Sequence, residues 1–365
     1  MNPIVTPEIL NVMKAVHYRP AVSIIMPFEQ KMNLKAGLAH SLKFAADKVE
    51  KELQENYPGE LSILVMQKLR AMIKGLEPEV HKKSIALYVS PVFEKVLYLD
   101  MAVEEKIIVD ESFEIRDLIY CKKQLHKYLV LLLSGKEYCM YLGNSDSFVR
   151  IVPDAPATMA AYQHDSPERV ANFSDMSERK EIVMYKFLHH IDSALDTILN
   201  SYQLPLFVLG TERILGHFKK LTKHEGAISK YIHGNYEEAT FPQLKEMLEP
   251  HFAELKLKKQ IAILHRLEEA AGKKALAVGI TEVWREAMNH KGQLLVVEKN
   301  YMVAAQHGSQ EDVIYKVAEP ATNFSYIKDA VDEVIEIVLE NGGDVEFIDE
   351  NFLGEYQQIA LVKYY

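Results

Sequence analysis

Cysteine is nearly absent from this sequence, and several other features are missing with it. Two cysteines, Cys121 and Cys139, cannot build a disulfide framework or a four-ligand zinc site, and they suit a reducing, cytoplasmic setting. Long hydrophobic runs are missing too: stretches such as 129–133 fall far short of the roughly 20 residues that a membrane-spanning helix needs. The opening MNPIVTPEIL has no basic stretch leading into an apolar one, so no secretory signal and no membrane partner are expected. Sixteen glycines and fourteen prolines are too few for a chain dominated by linkers. The motifs G-x-G-x-x-G, H-E-x-x-H and G-x-S-x-G do not occur. Ser134-Gly135-Lys136 follows a strand-like run but lacks the upstream glycine and the Ser or Thr of a phosphate-binding loop. No cofactor and no metal are expected.

The composition that remains is globular: 365 residues, 48% hydrophobic, 26% charged and 9% aromatic, enough chain for two or three domains. The net charge of −10 is unevenly spread. Residues 319–355 hold eleven acids against the single base Lys328, so the rest of the chain sums to zero. Residues 204–235 carry five bases against two acids, and residues 251–274 six against three. Such stretches read either as solvated helix surface or as phosphate contacts.

Strand-like and helix-like patterns alternate along the chain, which predicts an α/β protein of three α/β domains at 1–123, 124–259 and 260–365. In the first, an apolar strand at 21–26 precedes a helix with Leu34, Leu38, Leu42, Ala45, Val49 and Leu53 on one face. Tyr57-Pro58-Gly59 breaks that helix, a second follows from about 61 to 76, and three strands follow at 84–90, 95–99 and 106–109. The second domain opens with a continuously apolar strand at 128–134, a hairpin partner at 136–142 and a third strand at 148–152. Periodicity then disappears over 153–175, a loop long enough to suggest function. A helix carrying Ile182, Tyr185, Leu188, Ile191 and Leu195 follows, then a strand at 205–210, a helix with Ile214, Phe218 and Leu221, and polar basic helices to about 259. The third domain is expected to begin with a helix at 261–271, with Thr281 and Ser325 capping later helices.

Three groups are candidates for chemistry. In the loop 153–175, Gln163, His164, Asp165, Arg169 and Asn172 form a polar core: His164 as base, Asp165 orienting it, Arg169 on a phosphate or oxyanion. The competing reading is a surface loop that packs Tyr162 and Phe173 onto the domain. Arg213, Lys219, Lys220 and Lys223 follow a strand and suit RNA backbone contacts. His189-His190 with Asp192 and Asp196 is the most ligand-like cluster, set against a polar helix face opposite an apolar stripe. Asp329, Asp332, Glu333, Glu336 and Glu340 predict an acidic helix surface that repels phosphate.

The order of these units resembles the archaeo-eukaryotic class-I peptide-chain release factors and their Pelota-type relatives, and more closely the bacterial archaeo-eukaryotic release factor family. The resemblance rests on SIIMPF (23–28), SIALYVSPVFEKVLYL (84–99), YLVLLLSGKEYCMYLG (128–143), LPLFVLGTERILGHFKKL (204–221), ALAVGITEVWREAMNHKGQLLVVEKNY (275–301) and VLENGGDVEFIDENF (338–352). It implies an RNase H-like middle domain and a C-terminal domain similar to kink-turn-binding ribosomal proteins. Two family signatures are missing. The loop 153–175 has no glycine where the family carries Gly-Gly-Gln, its nearest echo being Ala160-Ala161-Tyr162-Gln163. The connection 54–60 has no Asn-Ile-Lys-Ser, and Tyr120-Cys121 only partly matches the family's Tyr-x-Cys element.

The resulting expectation is a non-decoding, cytoplasmic bacterial protein associated with the ribosome or with structured RNA such as tRNA. It would act in translation quality control, rescue or hibernation, without DNA. The alternatives are a hydrolase of peptidyl-tRNA or another ester through the loop, and an adaptor that binds protein partners through the acidic helix. A metal nuclease is disfavoured because the strands at 128–134 and 136–142 offer only Glu137 as a carboxylate.

Overall fold

In a computed structural model of the protein, residues 7–15, 19–28, 34–77, 82–124, 127–144, 148–152, 157–162, 176–317 and 326–364 are described. The chain divides into two compact units, residues 1–124 with 256–365, and residues 125–255. Helices and strands are mixed throughout, as the sequence patterns predict.

The first part of the chain holds α1 (Pro7–Met13), β1 (Ala21–Pro27), α2 (Leu34–Asn56), α3 (Gly59–Lys74), β2 (Ser84–Val89), β3 (Glu94–Leu99), β4 (Lys106–Asp110) and α4 (Arg116–Gln124). Its sheet is antiparallel in the order β3-β2-β1-β4. Side chains alternate along a strand, so Val22, Ile24 and Met26 join Leu42, Val49, Leu53, Val65 and Leu69 of α2 and α3 in one core. Ala21 and Ile25 face the other way, with Tyr88 and the residues around α4. Burial on both faces explains why β1 reads as an unbroken apolar run. Pro58 precedes α3, and the Ser62 hydroxyl donates to the Leu53 carbonyl at 3.1 Å, which closes the turn where Asn-Ile-Lys-Ser would stand.

The middle of the chain holds β5 (Tyr128–Leu133), β6 (Tyr138–Gly143), β7 (Phe148–Ile151), α5 (Met176–Tyr202), β8 (Leu206–Gly210), α6 (Glu212–Leu221), β9 (Ile228–His233) and α7 (Phe241–Gly272). The sheet order is β7-β6-β5-β8-β9, antiparallel through the meander and parallel from β5 to β9. β5 sits at its centre, as its continuous apolar run predicts. β9 corrects the sequence reading, which gives helix there; Lys230 and His233 interrupt the apolar pattern of a strand at the sheet edge. α7 is a second correction: one helix, with Pro250 inside it, replaces the separate helices expected on either side of Lys259.

The last part holds β10 (Leu276–Val278), α8 (Ile280–Met288), β11 (Gly292–Glu298), β12 (Ala305–His307), β13 (Ile314–Lys316), β14 (Tyr326–Ile327), α9 (Ala330–Glu340), β15 (Asp344–Ile348) and β16 (Ile359–Lys363). The sheet β10-β16-β11-β15 has α8 and α9 on one face and the end of α7 on the other. Thr281 does not cap α8. The N-cap is Gly279, at φ +76°, where a Cβ would lie 2.5 Å from Gln357 Oε1. α9 is capped by Asp329, which accepts from the Val331 N–H at 3.0 Å, while Ser325 lies outside the described residues. No sheet among the described residues crosses Lys123 or Lys259, and the division into 1–123, 124–259 and 260–365 stands as our proposal for the folding domains.

The first compact unit contains a buried ionic cluster. The Arg116 side chain is 1% exposed. It donates to the Asp329 carboxylate and, at 2.6 Å, to the Tyr301 carbonyl. Asp332 accepts from the Ile115 N–H at 3.1 Å and the Arg116 N–H at 2.7 Å. Lys106 lies 3.2 Å from Glu114 and 2.9 Å from Asp117. The acidic helix surface expected at α9 is thereby overturned: Asp329, Asp332 and Glu336 are buried, Glu333 is half-buried, and only Glu340 is exposed. Those acids cannot serve an adaptor as an interaction face.

Two tests follow from this burial. Truncating one partner of a buried ion cluster leaves a charge uncompensated, which costs about 3–5 kcal/mol. Asp329→Ala removes the carboxylate paired with the Arg116 guanidinium and should therefore lower stability by about 3–5 kcal/mol in urea denaturation. Burial pushes Glu336 up to about 8, with Glu340 adding to it, and Glu114 up to about 7, both from 4.5. The folded protein thus holds protons that the unfolded chain releases, so stability is fullest below the ordinary carboxylate range and falls as pH rises towards 8. A urea midpoint measured across that window should decline, and Glu336→Gln should flatten the decline by stabilising the protein most at the alkaline end.

Candidate nucleic-acid interface

The site is built from two neighbouring helices, α5 and α6. On α6, Ile214, Leu215 and Phe218 recur at helical spacing and are buried, joining Leu188, Ile191 and Leu195 of α5 in the core of the second unit. Burying that stripe turns the charged positions outward. Arg213, Lys219, Lys220 and Lys223 are all exposed. Lys219 and Lys220 sit in the last helical turn, where cations complement the helix dipole.

The four predicted cations do not form one cluster. Arg213 and Lys220 are seven residues apart, two turns, so they share a stripe about 10 Å long. Arg213 lies 3.9 Å from Glu181 of α5, with both side chains largely exposed. Lys219 points elsewhere, its ammonium lying 5.4 Å from the ring centroid of Tyr231 on β9. The Tyr231 hydroxyl donates to Glu225 at 2.6 Å, and its pKa is raised by burial and then by that carboxylate. Lys223 follows the helix, and its N–H donates to Asp192 at 3.4 Å. Sequence reasoning missed Tyr231 because it missed β9.

Asp192 explains how that turn is fixed. Its buried carboxylate accepts from the Thr222 hydroxyl at 2.6 Å, and its own carbonyl lies 3.1 Å from His224 Nε2. His224 Nε2 also lies 3.3 Å from Asp196. The histidine of the predicted cluster is thus His224, from the α6 turn, while His189 and His190 are exposed. His190 packs against Tyr162 at 5.0 Å. Among the described residues no group of three His, Cys, Asp or Glu side chains could hold a metal ion.

A further pair joins the two helices. The Tyr185 ring meets His217 edge-on at 5.5 Å. Glu181 with Arg213 and Tyr185 with His217 are both 32 positions apart (213 − 181 and 217 − 185), so the helices lie side by side and parallel. Tyr185 is 42% exposed and Ile182 43%, although both belong to the apolar stripe read from the sequence.

Of the loop 153–175, the described part is 157–162. It returns to the sheet, with Thr158 bridging Glu137 and the Met159 N–H donating to the Lys136 carbonyl at 2.7 Å. Tyr162 is 3% exposed and packs against Phe187 at 5.8 Å. The expectation that Tyr162 packs onto the domain holds, and Tyr162 tethers the described part of that echo, Ala160-Ala161-Tyr162, to the core. Gln163, His164, Asp165, Arg169, Asn172 and Phe173 lie outside the described residues. Tyr120 and Cys121 belong to the core of the first unit, where burial pushes the Cys121 thiol up to about 12 and leaves it protonated. No helix among the described residues is long and apolar enough to cross a membrane.

Comparison with known proteins finds a family match in the middle of the chain. Residues 127–291 match the model of bacterial archaeo-eukaryotic release factor family 3. The resemblance stated from the sequence is borne out there, and the matched segment contains α5, α6 and all four cations. Among solved structures, S. cerevisiae Dom34, a translation termination-like factor involved in RNA quality control pathways, is similar at 13% identity. That match covers 80% of this chain and 76% of that one, with a TM-score of 0.40. Ribosome-bound archaeal Pelota matches at 10% identity, 98% and 93% coverage and a TM-score of 0.44. Archaeoglobus fulgidus Pelota matches at 14%, 77% and 79%, with 0.36. No curated protein matches the sequence.

Asp192→Ala should unsatisfy two donors in the α6 turn. A loss of about 1–3 kcal/mol is expected in denaturant unfolding. Amide exchange should rise at Lys223 and His224, ahead of α6. If those amides stay protected, Asp192 does not hold the turn.

Proposed function

Starting from the family match over residues 127–291, we propose that this chain is a non-decoding, release-factor-like protein of the bacterial cytoplasm. It binds the ribosome or structured RNA such as tRNA, and acts in translation quality control, rescue or hibernation. The observation that carries the proposal is the exposed cation set inside the matched segment, Arg213, Lys219 and Lys220 on α6 and Lys223 just after it. Cations fixed on a rigid helix suit phosphate contacts, which position a protein on RNA without reading its sequence.

The missing signatures set the non-decoding part. The α2–α3 turn reads Tyr57-Pro58 and is closed by Ser62, with no Asn-Ile-Lys-Ser. The loop lacks Gly-Gly-Gln, and its described end is anchored through Tyr162. The meander β5–β7 followed by the parallel strands β8 and β9 supports the RNase H-like reading of the middle domain. The α/β sandwich of 260–365 supports its likeness to kink-turn-binding ribosomal proteins.

The reading is tested by sedimenting a bacterial lysate through a sucrose gradient. The protein should travel with ribosomal particles and move to the top after RNase treatment. Combined Arg213→Glu, Lys219→Glu, Lys220→Glu and Lys223→Glu should release it without RNase and flatten the salt dependence of RNA binding, because each lost phosphate contact releases fewer counterions. Cosedimentation that survives the fourfold reversal would falsify the assignment of RNA contact to α6.

A further inference from the structure

We infer that the seam between α5 and α6 is a stacking site for an unpaired nucleotide, with the base on Tyr185 beside His217 and the flanking phosphates at Arg213 and Lys220. This deepens the RNA-binding reading and rests on it. The sequence reading used Tyr185 as core and His217 not at all.

Four observations place the site. Tyr185 is 42% exposed and meets the His217 ring at 5.5 Å, so an aromatic surface is open to solvent at the seam. Arg213, His217 and Lys220 fall at i, i+4 and i+7, one helix face. The imidazole is therefore flanked by a cation roughly 5 Å away along the axis on each side. Gly216 shares that face, and a Cβ there would meet nothing within 4 Å, so the strip is not obstructed. Beside it, Ile182 is 43% exposed and extends the apolar edge.

The electrostatics agree. Among the described residues, Arg213 is opposed by a 3.9 Å approach to Glu181 across a solvated gap, with side chains 72% and 53% exposed. Such an exposed pair is weak and easily exchanged for a phosphate. An aromatic ring between two cations matches the way proteins hold single strands: bases stack on π-faces while the backbone follows positive charge. A regular duplex keeps its bases stacked inside and could use only the cations.

The test is fluorescence anisotropy of the full chain with a labelled single-stranded RNA oligonucleotide, and with the same sequence as a duplex, over a range of salt. Tyr185→Ala should weaken single-strand binding roughly 5- to 150-fold. It should leave the salt slope unchanged, and Tyr185→Phe should restore binding. Arg213→Gln with Lys220→Gln should instead flatten the slope by about 0.7 per lost phosphate. Gly216→Leu covers the strip while removing a helix-interior glycine, so it should fold at least as stably and still lose single-strand affinity.

Each other result is decisive. If Tyr185→Ala and Gly216→Leu bind the single strand like the parent, while the fourfold charge reversal abolishes binding, the stacking site is overturned and the RNA reading survives. If the charge reversal also leaves RNA binding intact, both fail. If Tyr185→Ala and Ile182→Ala lose cosedimentation with ribosomes at unchanged RNA affinity, the seam is a protein-docking face and the nucleotide proposal is wrong.

Discussion

The Arg116 guanidinium is 1% exposed, and a buried charge is tolerated only where counter-charges and hydrogen bonds surround it. The groups that do so come from distant parts of the chain: Glu114 beside it, the Tyr301 carbonyl, and Asp329, whose carboxylate also caps α9. Asp332, one turn further, holds the backbone N–H groups of Ile115 and Arg116. This one cation therefore fixes where α4 begins, where α9 begins and how the two meet within the first unit. It also explains why residues before 124 and after 256 cluster together although each segment builds its own sheets.

The cluster changes what the net charge means. Counted along the sequence, the whole imbalance of −10 lies in residues 319–355. In the fold much of that acid is spent internally. Asp329 and Asp332 serve Arg116, Asp344 and Glu346 meet Lys123, Lys259 also reaches Glu346, and Asp349 meets Lys256. Glu336, raised to about 8, is largely protonated near neutral pH. The acidic block is thus mostly interior or paired, and does not describe the surface offered to a polyanion. Among the described residues, Arg213 and Lys220 have no comparable partner inside their own unit, apart from the loose approach of Glu181 to Arg213.

Most elements were legible because their periods are simple. The 3.6-residue stripes of α2, α5 and α9 and the apolar runs of β1, β5, β8 and β11 can be read directly from the sequence. The failures have local causes. β9 lies at the sheet edge and carries Lys230 and His233, so it lacks a strand's alternation. α7 contains Pro250 and was read as two helices. The capping assignments failed because hydroxyl residues were preferred, whereas α8 starts at Gly279 in a left-handed conformation and α9 uses a carboxylate that also serves Arg116. The apolar stripe of α9 is plain in the sequence, and its acids read there as a solvated face. No sequence pattern says that a buried arginine 213 residues away will claim it.

The candidate site was legible in part, and the missing part is informative. Charge alone picked out Arg213, Lys219, Lys220 and Lys223, but it could not show that Lys219 turns to Tyr231 while Arg213 and Lys220 share a stripe with His217. That grouping depends on the parallel packing of α5 on α6, fixed by the buried Ile214, Leu215 and Phe218 and by the Asp192–Thr222 bond at the far end. A pattern read from one helix at a time assigns Tyr185 to the core, since it keeps the apolar spacing of Leu188 and Ile191. Only the neighbouring helix reveals that Tyr185 sits where the stripe emerges from the core, against His217, which has a cation about one turn away on either side. A chain without glycine in its 153–175 loop has lost the backbone freedom on which Gly-Gly-Gln chemistry depends. On the proposed reading, RNA is engaged instead at the helix seam, through side chains held on a packed surface.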